Sequence, residues 1–370
     1  MNRLTLPLVL ACSGLFLNAG PFVAAQAGPD NRLLLKISLQ AEARPIGELL
    51  RELSEKHKLT LELDPSIEKD GYEKGPFTLT ADGLTLASVL NLICDSNHLV
   101  YAVEKGKLLV TTKEADSNNP FVREYPLAPL GAIGDPQMFV AGLTEVTNGK
   151  WKDVDGEGGE IVAISPRSIS IRQSRVVHAE LQALFEQIAA AVSGRAKAPS
   201  VQERSEQTLF RKLQTPAQLA AGEMALSEVL DQSLRKNGVP YWVDLQGLEE
   251  EGIDWTKLTI TIEAKKMPTA ARLDAVLNQL KLSWRVANEV VLITTRTKAA
   301  DLQIARVYNV RRLITPNRSL NAIAMQLTAN ADLAPWEIVN GEGGSFMELG
   351  TLLVIRHNFA VHAKLAGLLK

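Results

Sequence analysis

The stretch Trp151–Gly159, W-K-D-V-D-G-E-G-G, returns 185 residues later at Trp336–Gly344 as W-E-I-V-N-G-E-G-G. Its surroundings return with it. Arg123-x-Tyr125-x-Leu127 recurs as Arg306-x-Tyr308-x-Val310, and Leu108–Lys113 (LLVTTK) recurs as Val291–Arg296 (VLITTR). Arg172, Val177-His178-Ala179 and Leu181 recur as Arg356, Val361-His362-Ala363 and Leu365, with the offset always between 180 and 185. A chain that repeats itself over roughly 150 residues folds as two copies of one unit, and this constrains every other assignment.

Each copy opens with alternating and helical apolar patterns. Leu33–Leu39 reads as a strand, and Ile46, Leu49, Leu50 and Leu53 make one helical stripe behind Pro45, a residue suited to a first turn. Leu59–Leu63 and Phe77–Thr80 alternate as strands around a charged, Gly-containing loop. Leu86, Val89, Leu90 and Ile93 form a second stripe, and Leu99–Val103, a Lys105-Gly106 turn and Leu108–Thr112 form a hairpin. The order is β-α-β-β-α-β-β. Copy 2 repeats it: a strand near Gln218-Leu219, a helix 226–236, strands 241–244 and 258–262, a helix 269–280 and a hairpin 282–295. Helices with a single apolar stripe need a sheet to cover, so the fold class is α+β.

A shorter unit follows each time: a strand at 122–127, a helix around 135–144, the Trp segment, a G-E-G-G turn, a strand at 168–172 and a closing helix. That helix carries Leu181, Leu184, Phe185 and Ile188. Its pattern is β-α-β-β-α-like, so each duplicated unit holds two small layered subdomains. Between the copies, 193–207 is polar and charged and reads as a solvated linker.

The N-terminus differs in kind. An apolar run from Leu4 to Ala25 follows Arg3, is broken by Pro7 and Gly14 and exits through Ala25-Gln26-Ala27, the pattern of a cleaved signal peptide. A membrane anchor is the competing reading. In a third, Val9-Leu10-Ala11-Cys12 resembles a lipoprotein cleavage site, and Cys12 would carry a lipid anchor. After cleavage only Cys94 remains, on an apolar helix face where an inert buried thiol is expected.

With 40 Lys+Arg against 42 Asp+Glu the net charge of −2 supplies no field for nucleic acid or an anionic membrane, so no nucleic-acid partner is expected. Asp153-x-Asp155-x-Glu157 with Glu160 has the look of a calcium loop, but Asp153 becomes Ile338 and Asp155 becomes Asn340 in copy 2, which argues for a Gly-built hairpin turn instead. G-E-G-G lacks the Lys-Ser/Thr of a phosphate loop. His178 and His362 lack Cys or His neighbours at ligand spacing and read as surface or helix-cap residues. No nucleophile or metalloprotease pattern occurs, so neither catalytic residues, cofactor nor metal are assigned. What both copies keep is Trp151/Trp336 and Glu157/Glu342, either a surface loop with an aromatic anchor for a partner or a Trp packed under its own hairpin.

The longer unit resembles the secretin and TonB N-terminus short (STN) domain. The likeness rests on the helix start Pro45–Leu50, which is 225–230 in copy 2 with Ala225 for Pro, and on the strand ends at Asp64 and Asp244. The helices 85–94 and 268–277 and the closing [LV]-L-[VI]-T-T strand complete it. The shorter unit resembles the modules that follow that domain in secretins and build their periplasmic rings. The organisation that follows is a leader 1–27, STN-like domains 33–113 and 213–297, secretin N-domain-like modules 120–192 and 302–370, and a linker 193–212.

The leader and the missing catalytic patterns point to an exported, periplasmic or outer-membrane-associated protein without enzymatic activity, and the resemblance implies a protein–protein adaptor whose partner is a secretin, another secretion component or an inner-membrane regulator. Because the sequence ends at Lys370 directly after the last apolar stripe, no outer-membrane pore is expected from it. A signalling module contacting a TonB-transducer-like regulator is one alternative. Another is an envelope enzyme or small-ligand receptor with its site between the repeats, where Glu157, Glu342 and the two Trp would converge.

Overall fold

The computed structural model describes residues 30–369 apart from 70, 195–200 and 218. The leader 1–27 and Cys12 lie outside the described residues. The first module runs β1 (Lys36–Pro45), α1 (Ile46–Lys56), β2 (Thr60–Leu63), β3 (Pro76–Thr85), α2 (Leu86–Asp95), β4 (Leu99–Glu104) and β5 (Lys107–Thr112). This is the order expected from the apolar stripes, although the first strand starts later than expected, behind a 3-10 turn at Asn31–Leu34. β1 and β3 pair as an antiparallel ribbon, and β2-β5-β4 form a sheet in which β2 runs parallel to β5. Ile46, Leu49, Leu50 and Leu53 of α1 and Leu86, Val89, Leu90 and Ile93 of α2 are all buried in that layer. Pro45 stands one residue before α1 rather than inside its first turn and makes no capping hydrogen bond, whereas the Thr85 hydroxyl accepts the Ser88 N–H at the start of α2. Cys94 is buried, and burial pushes its thiol pKa well up, which keeps it an inert core residue.

The second module is β6 (Phe121–Pro126), α3 (Pro136–Val146), β7 (Glu160–Ile164), β8 (Ser168–Gln173) and α4 (Arg175–Val192), with sheet order β6-β8-β7. The residues that follow depart from the expected linker: 201–213 form a helix, α5 (Val201–Leu213). Its polar composition suggested a solvated tether, but Leu209 and Leu213 stand four apart on one face and are buried in the core of the second longer module. Two buried anchors on thirteen residues leave a helix whose remaining residues are mostly polar or charged, which is why composition misleads here.

Copy 2 repeats the plan as β9 (Gly222–Ala225), α6 (Leu226–Ser233), β10 (Tyr241–Val243), β11 (Thr259–Ile262), α7 (Thr269–Gln279), β12 (Leu282–Ala287) and β13 (Val290–Thr295). Its short module is β14 (Gln303–Asn309), α8 (Leu320–Thr328), β15 (Ser345–Leu349), β16 (Leu352–Asn358) and α9 (Phe359–Leu368). The strand expected near Gln218-Leu219 divides into Pro216–Ala217 and β9.

The two copies stack face to face. Trp242, Val290 and Leu292 of copy 2 belong to the core of the first longer module, and Met347, Leu349, Leu352 and Val354 belong to the core of the first short module. The helices of the first short module therefore lie between two sheets, their own and β14-β16-β15. Gly142 makes the approach possible: a Cβ there would stand 2.4 Å from the Met347 side chain. Polar contacts pin the seam. Ser345 Oγ donates to the Glu145 carbonyl at 2.6 Å, Asn148 Nδ2 to the Gln303 carbonyl at 3.0 Å, and Trp242 Nε1 to the Thr78 carbonyl at 3.2 Å.

The same stacking explains where the copies differ in sequence. All six residues of β13 are buried, whereas β5 alternates; β16 opens Leu-Leu-Val-Ile where β8 reads Ser-Ile-Ser-Ile. Leu352 and Val354 are buried where Ser168 and Ser170 are half-buried, and Trp242 and Val290 are buried where Glu62 and Lys107 form an exposed ion pair at 2.5 Å. The sheet face that is covered is apolar, and its open counterpart is polar, as in the terminal cap of a repeat array. Each fully buried aliphatic chain at this seam contributes roughly 1.5–3 kcal/mol.

Candidate functional site

The duplicated Trp loop is built from the backbone outward. Lys152 N–H donates to the Gly159 carbonyl at 2.7 Å and Gly159 N–H returns to the Lys150 carbonyl at 2.9 Å; the same two bonds in copy 2 join Glu337 to Gly344 and Gly344 to Pro335 at 2.8 and 3.0 Å. Lys152–Asp155 and Glu337–Asn340 each make one helical turn, closed by a left-handed glycine, Gly156 or Gly341. Gly158 and Gly343 are also at positive φ, and a Cβ on either would meet a backbone carbonyl at 2.2 or 2.3 Å. Asp155 accepts the Trp151 N–H at 2.7 Å and Asn340 accepts the Trp336 N–H at 2.9 Å. Only an acceptor oxygen is needed there, so Asp and Asn serve equally.

Both indoles point inward. Trp151 is 2% exposed and donates Nε1–H to Thr147 Oγ1 at 3.0 Å; Trp336 is 1% exposed and meets the His357 ring edge-on at 4.9 Å. Neither is a surface anchor, since each fills the core of its own module. Glu157 and Glu342 are exposed, with Glu157 paired to Lys150 at 2.5 Å. The carboxylates that suggested a calcium loop have other partners: Asp155 holds the Trp151 amide, and Glu160 faces Arg172 at 3.3 Å and Lys152 at 3.5 Å.

The expected convergence of Glu157, Glu342 and the two Trp between the repeats is absent, because the two Trp are buried in separate cores. Two cavities lie elsewhere. One of about 320 Å³ opens on the free face of β2-β5-β4, beside Glu62, Asp64, Tyr101 and Arg175. The other, about 360 Å³, lies beside Lys36, Thr208 and Glu289. Neither is lined by a residue of the two Trp loops.

The matched histidines are not surface or cap residues. His178 and His362 are buried, His178 Nδ1 faces the Tyr125 hydroxyl at 2.8 Å, and His362 Nδ1 faces that of Tyr308 at 2.9 Å. Each Nε2 meets a strand carbonyl at 2.8 Å, Phe121 or Ile304. With Nε2–H donating to the carbonyl and Nδ1 accepting from the phenol, the neutral ring is fully satisfied. Burial pushes both imidazoles below their ordinary pKa, His362 to about 4. The pair ties the closing helix to the first strand of the module. The Arg-x-Tyr and Val-His-Ala repeats were its visible signal.

No family model and no curated protein matches this chain. Among solved structures, the chain is weakly similar to one from the GspC–GspD complex of the type II secretion system of enterotoxigenic Escherichia coli, at 8% identity and a TM-score of 0.16 over 42% of this chain and 99% of that one. It is similar at the same TM-score and 10% identity to XcpQN012, over 90% of this chain and 95% of that one. At these scores neither neighbour says what this chain binds.

Sequence reasoning passed over the residues that the loops do expose. Val154 is 67% exposed and Val339 61%, at the same position of the two motifs, with Ile338 beside Val339. The signal was the shared Val in W-x-x-V, which was read together with the buried Trp.

Proposed function

We propose that this chain is a non-enzymatic, exported interaction module of the bacterial cell envelope, an adaptor or scaffold linked to secretin-type secretion or transport. One observation carries the reading: modules of this fold already bind one another within the chain, helix layer against sheet, so their faces act as docking surfaces here. The duplicated chemistry supports it, because Trp, Gly, Tyr and His of both copies are committed to folding and the loops offer apolar and acidic groups outward. The STN-like sequence pattern supplies the link to secretin and TonB systems, and the leader's composition supplies export to the periplasm.

The test is crosslinking affinity purification of residues 28–370 from an envelope extract. Recovery of a secretin, another secretion component or an inner-membrane regulator supports the reading and names the pathway. Recovery of this protein alone refutes it.

A further inference from the structure

The Trp loops can be divided into what the fold requires and what it leaves over. The fold accounts for both Trp as core residues, Asp155 and Asn340 as amide acceptors, and Gly158 and Gly343 by positive φ and close backbone approach. Left over in both copies is an exposed valine, Val154 or Val339, beside an exposed glutamate, Glu157 or Glu342, of which Glu157 pairs with Lys150. The recurrence is selective. Among the described residues other large exposed apolar side chains do not recur in this way: Met138, Val122 and Val176 align in sequence with Ala322, Ala305 and Ala360 of the other copy. A solvent-facing valine on a one-turn helix adds nothing to packing and disfavours the helix slightly, so its presence at both sites needs a contact outside the fold.

We propose that the two loops are twin knobs that dock into a protein partner carrying two copies of one site, each an apolar pocket rimmed by Lys or Arg. This rests on the interaction-module reading above and specifies its surface. Charge decides the class of partner. Counting the cations that pair with each loop, copy 1 sets Lys150 and Lys152 against Asp153, Asp155 and Glu157, and copy 2 sets Arg356 against Glu337 and Glu342, so each loop keeps a net charge of −1. An anionic lipid surface repels both, whereas a basic rim around an apolar pocket complements both. Two equivalent knobs on one body engage a two-site partner with avidity: loss of one valine weakens binding about tenfold and loss of both far more, on the order of a hundredfold.

The experiment places benzoyl-phenylalanine at 154, at 339 and, as a control, at 138 (Met138, 71% exposed) in the full chain, and irradiates intact cells. The expected result is one protein adduct common to 154 and 339 and absent at 138, whose crosslinked peptide carries apolar residues beside Lys or Arg. The adduct is lost when Glu157→Lys and Glu342→Lys are added, with unchanged circular dichroism. No adduct, different adducts from 154 and 339, an adduct shared with 138, or adducts with lipid or with a second copy of this chain all overturn the proposal. If the affinity purification recovers a partner while 154 and 339 give none, the knobs fail and the interaction-module reading stands.

Discussion

Glu289 sits at the tip of the β12–β13 hairpin, 2% exposed, and its carboxylate reaches into the other repeat. It accepts Thr85 N–H at 2.6 Å, Thr85 O–H at 2.7 Å and Ser88 O–H at 2.9 Å, and it pairs with the Lys36 ammonium. The second copy therefore caps the N-terminus of a helix in the first, where negative charge is favoured. Burial alone would raise this carboxyl's pKa, but Lys36, Ser205 and Thr85 outweigh it and hold it down at about 2, against an ordinary 4.5. At about 1.4 kcal/mol per unit, the ionised form contributes about 3 kcal/mol to the stacked state. Because the folded value is depressed, that stability is complete above pH 4.5 and is lost as pH falls from there through about 2. Glu289→Gln is thus expected to lower stability by about 3 kcal/mol at pH 7. Glu289→Gly should lose about 1 kcal/mol less, since position 289 lies at φ +61 and Gly106 occupies the matching turn of copy 1. Urea unfolding of both variants at pH 7 and pH 3 measures this. Equal stability of wild type and Glu289→Gln at pH 7, or a deficit that persists undiminished at pH 3, would refute the inter-repeat cap.

Three further outcomes follow from the same contacts. Gly142→Ala puts a Cβ against Met347, which must shift, and should cost about 1–3 kcal/mol by urea unfolding while Gly149→Ala, at Val177 and Gln173, reports on copy 1 alone. Burial holds His362 near 4 against an ordinary 6.5, so its contribution is complete above pH 6.5 and is lost as pH falls through about 4; Tyr308→Phe, which removes the donor to Nδ1, should cost about 1–3 kcal/mol at pH 7, checked by thermal melts across that range. Asp155→Asn reproduces the copy 2 loop and should change stability by under about 0.5 kcal/mol, whereas Asp155→Ala frees the Trp151 N–H and should cost about 1–2 kcal/mol.

Much of the fold was legible in the sequence because the duplication allowed each pattern to be read twice. The stripes of α1 and α2, the Lys105-Gly106 hairpin and the alternating strands each follow from local periodicity, and they fold as read. The stacking shows in the sequence only as a difference between the copies: Ser168 and Ser170 against Leu352 and Val354 mark a sheet wetted on one side in copy 1 and dry on both in copy 2. The helix 201–213 was hidden because its two anchors, Leu209 and Leu213, bury against a module contributed by later sequence. The His178 and His362 sites were misread for a related reason. Their partners Tyr125 and Tyr308 lie more than fifty residues away, and only the folded sheet brings phenol and imidazole together. At the loops, sequence identified the right segment and the wrong side chain, since Trp attracts attention and exposure is a tertiary property.

The first repeat is the docking partner of the second, and one measurement tests that directly. A protease site introduced at residues 195–200 of the full chain, followed by complete cleavage and size-exclusion chromatography with light scattering, asks whether the halves hold without a covalent link. Co-elution as a single particle of the uncut mass, lost in Glu289→Gln combined with Gly142→Leu, is the predicted result. Separation of the wild-type halves on cleavage would contradict it.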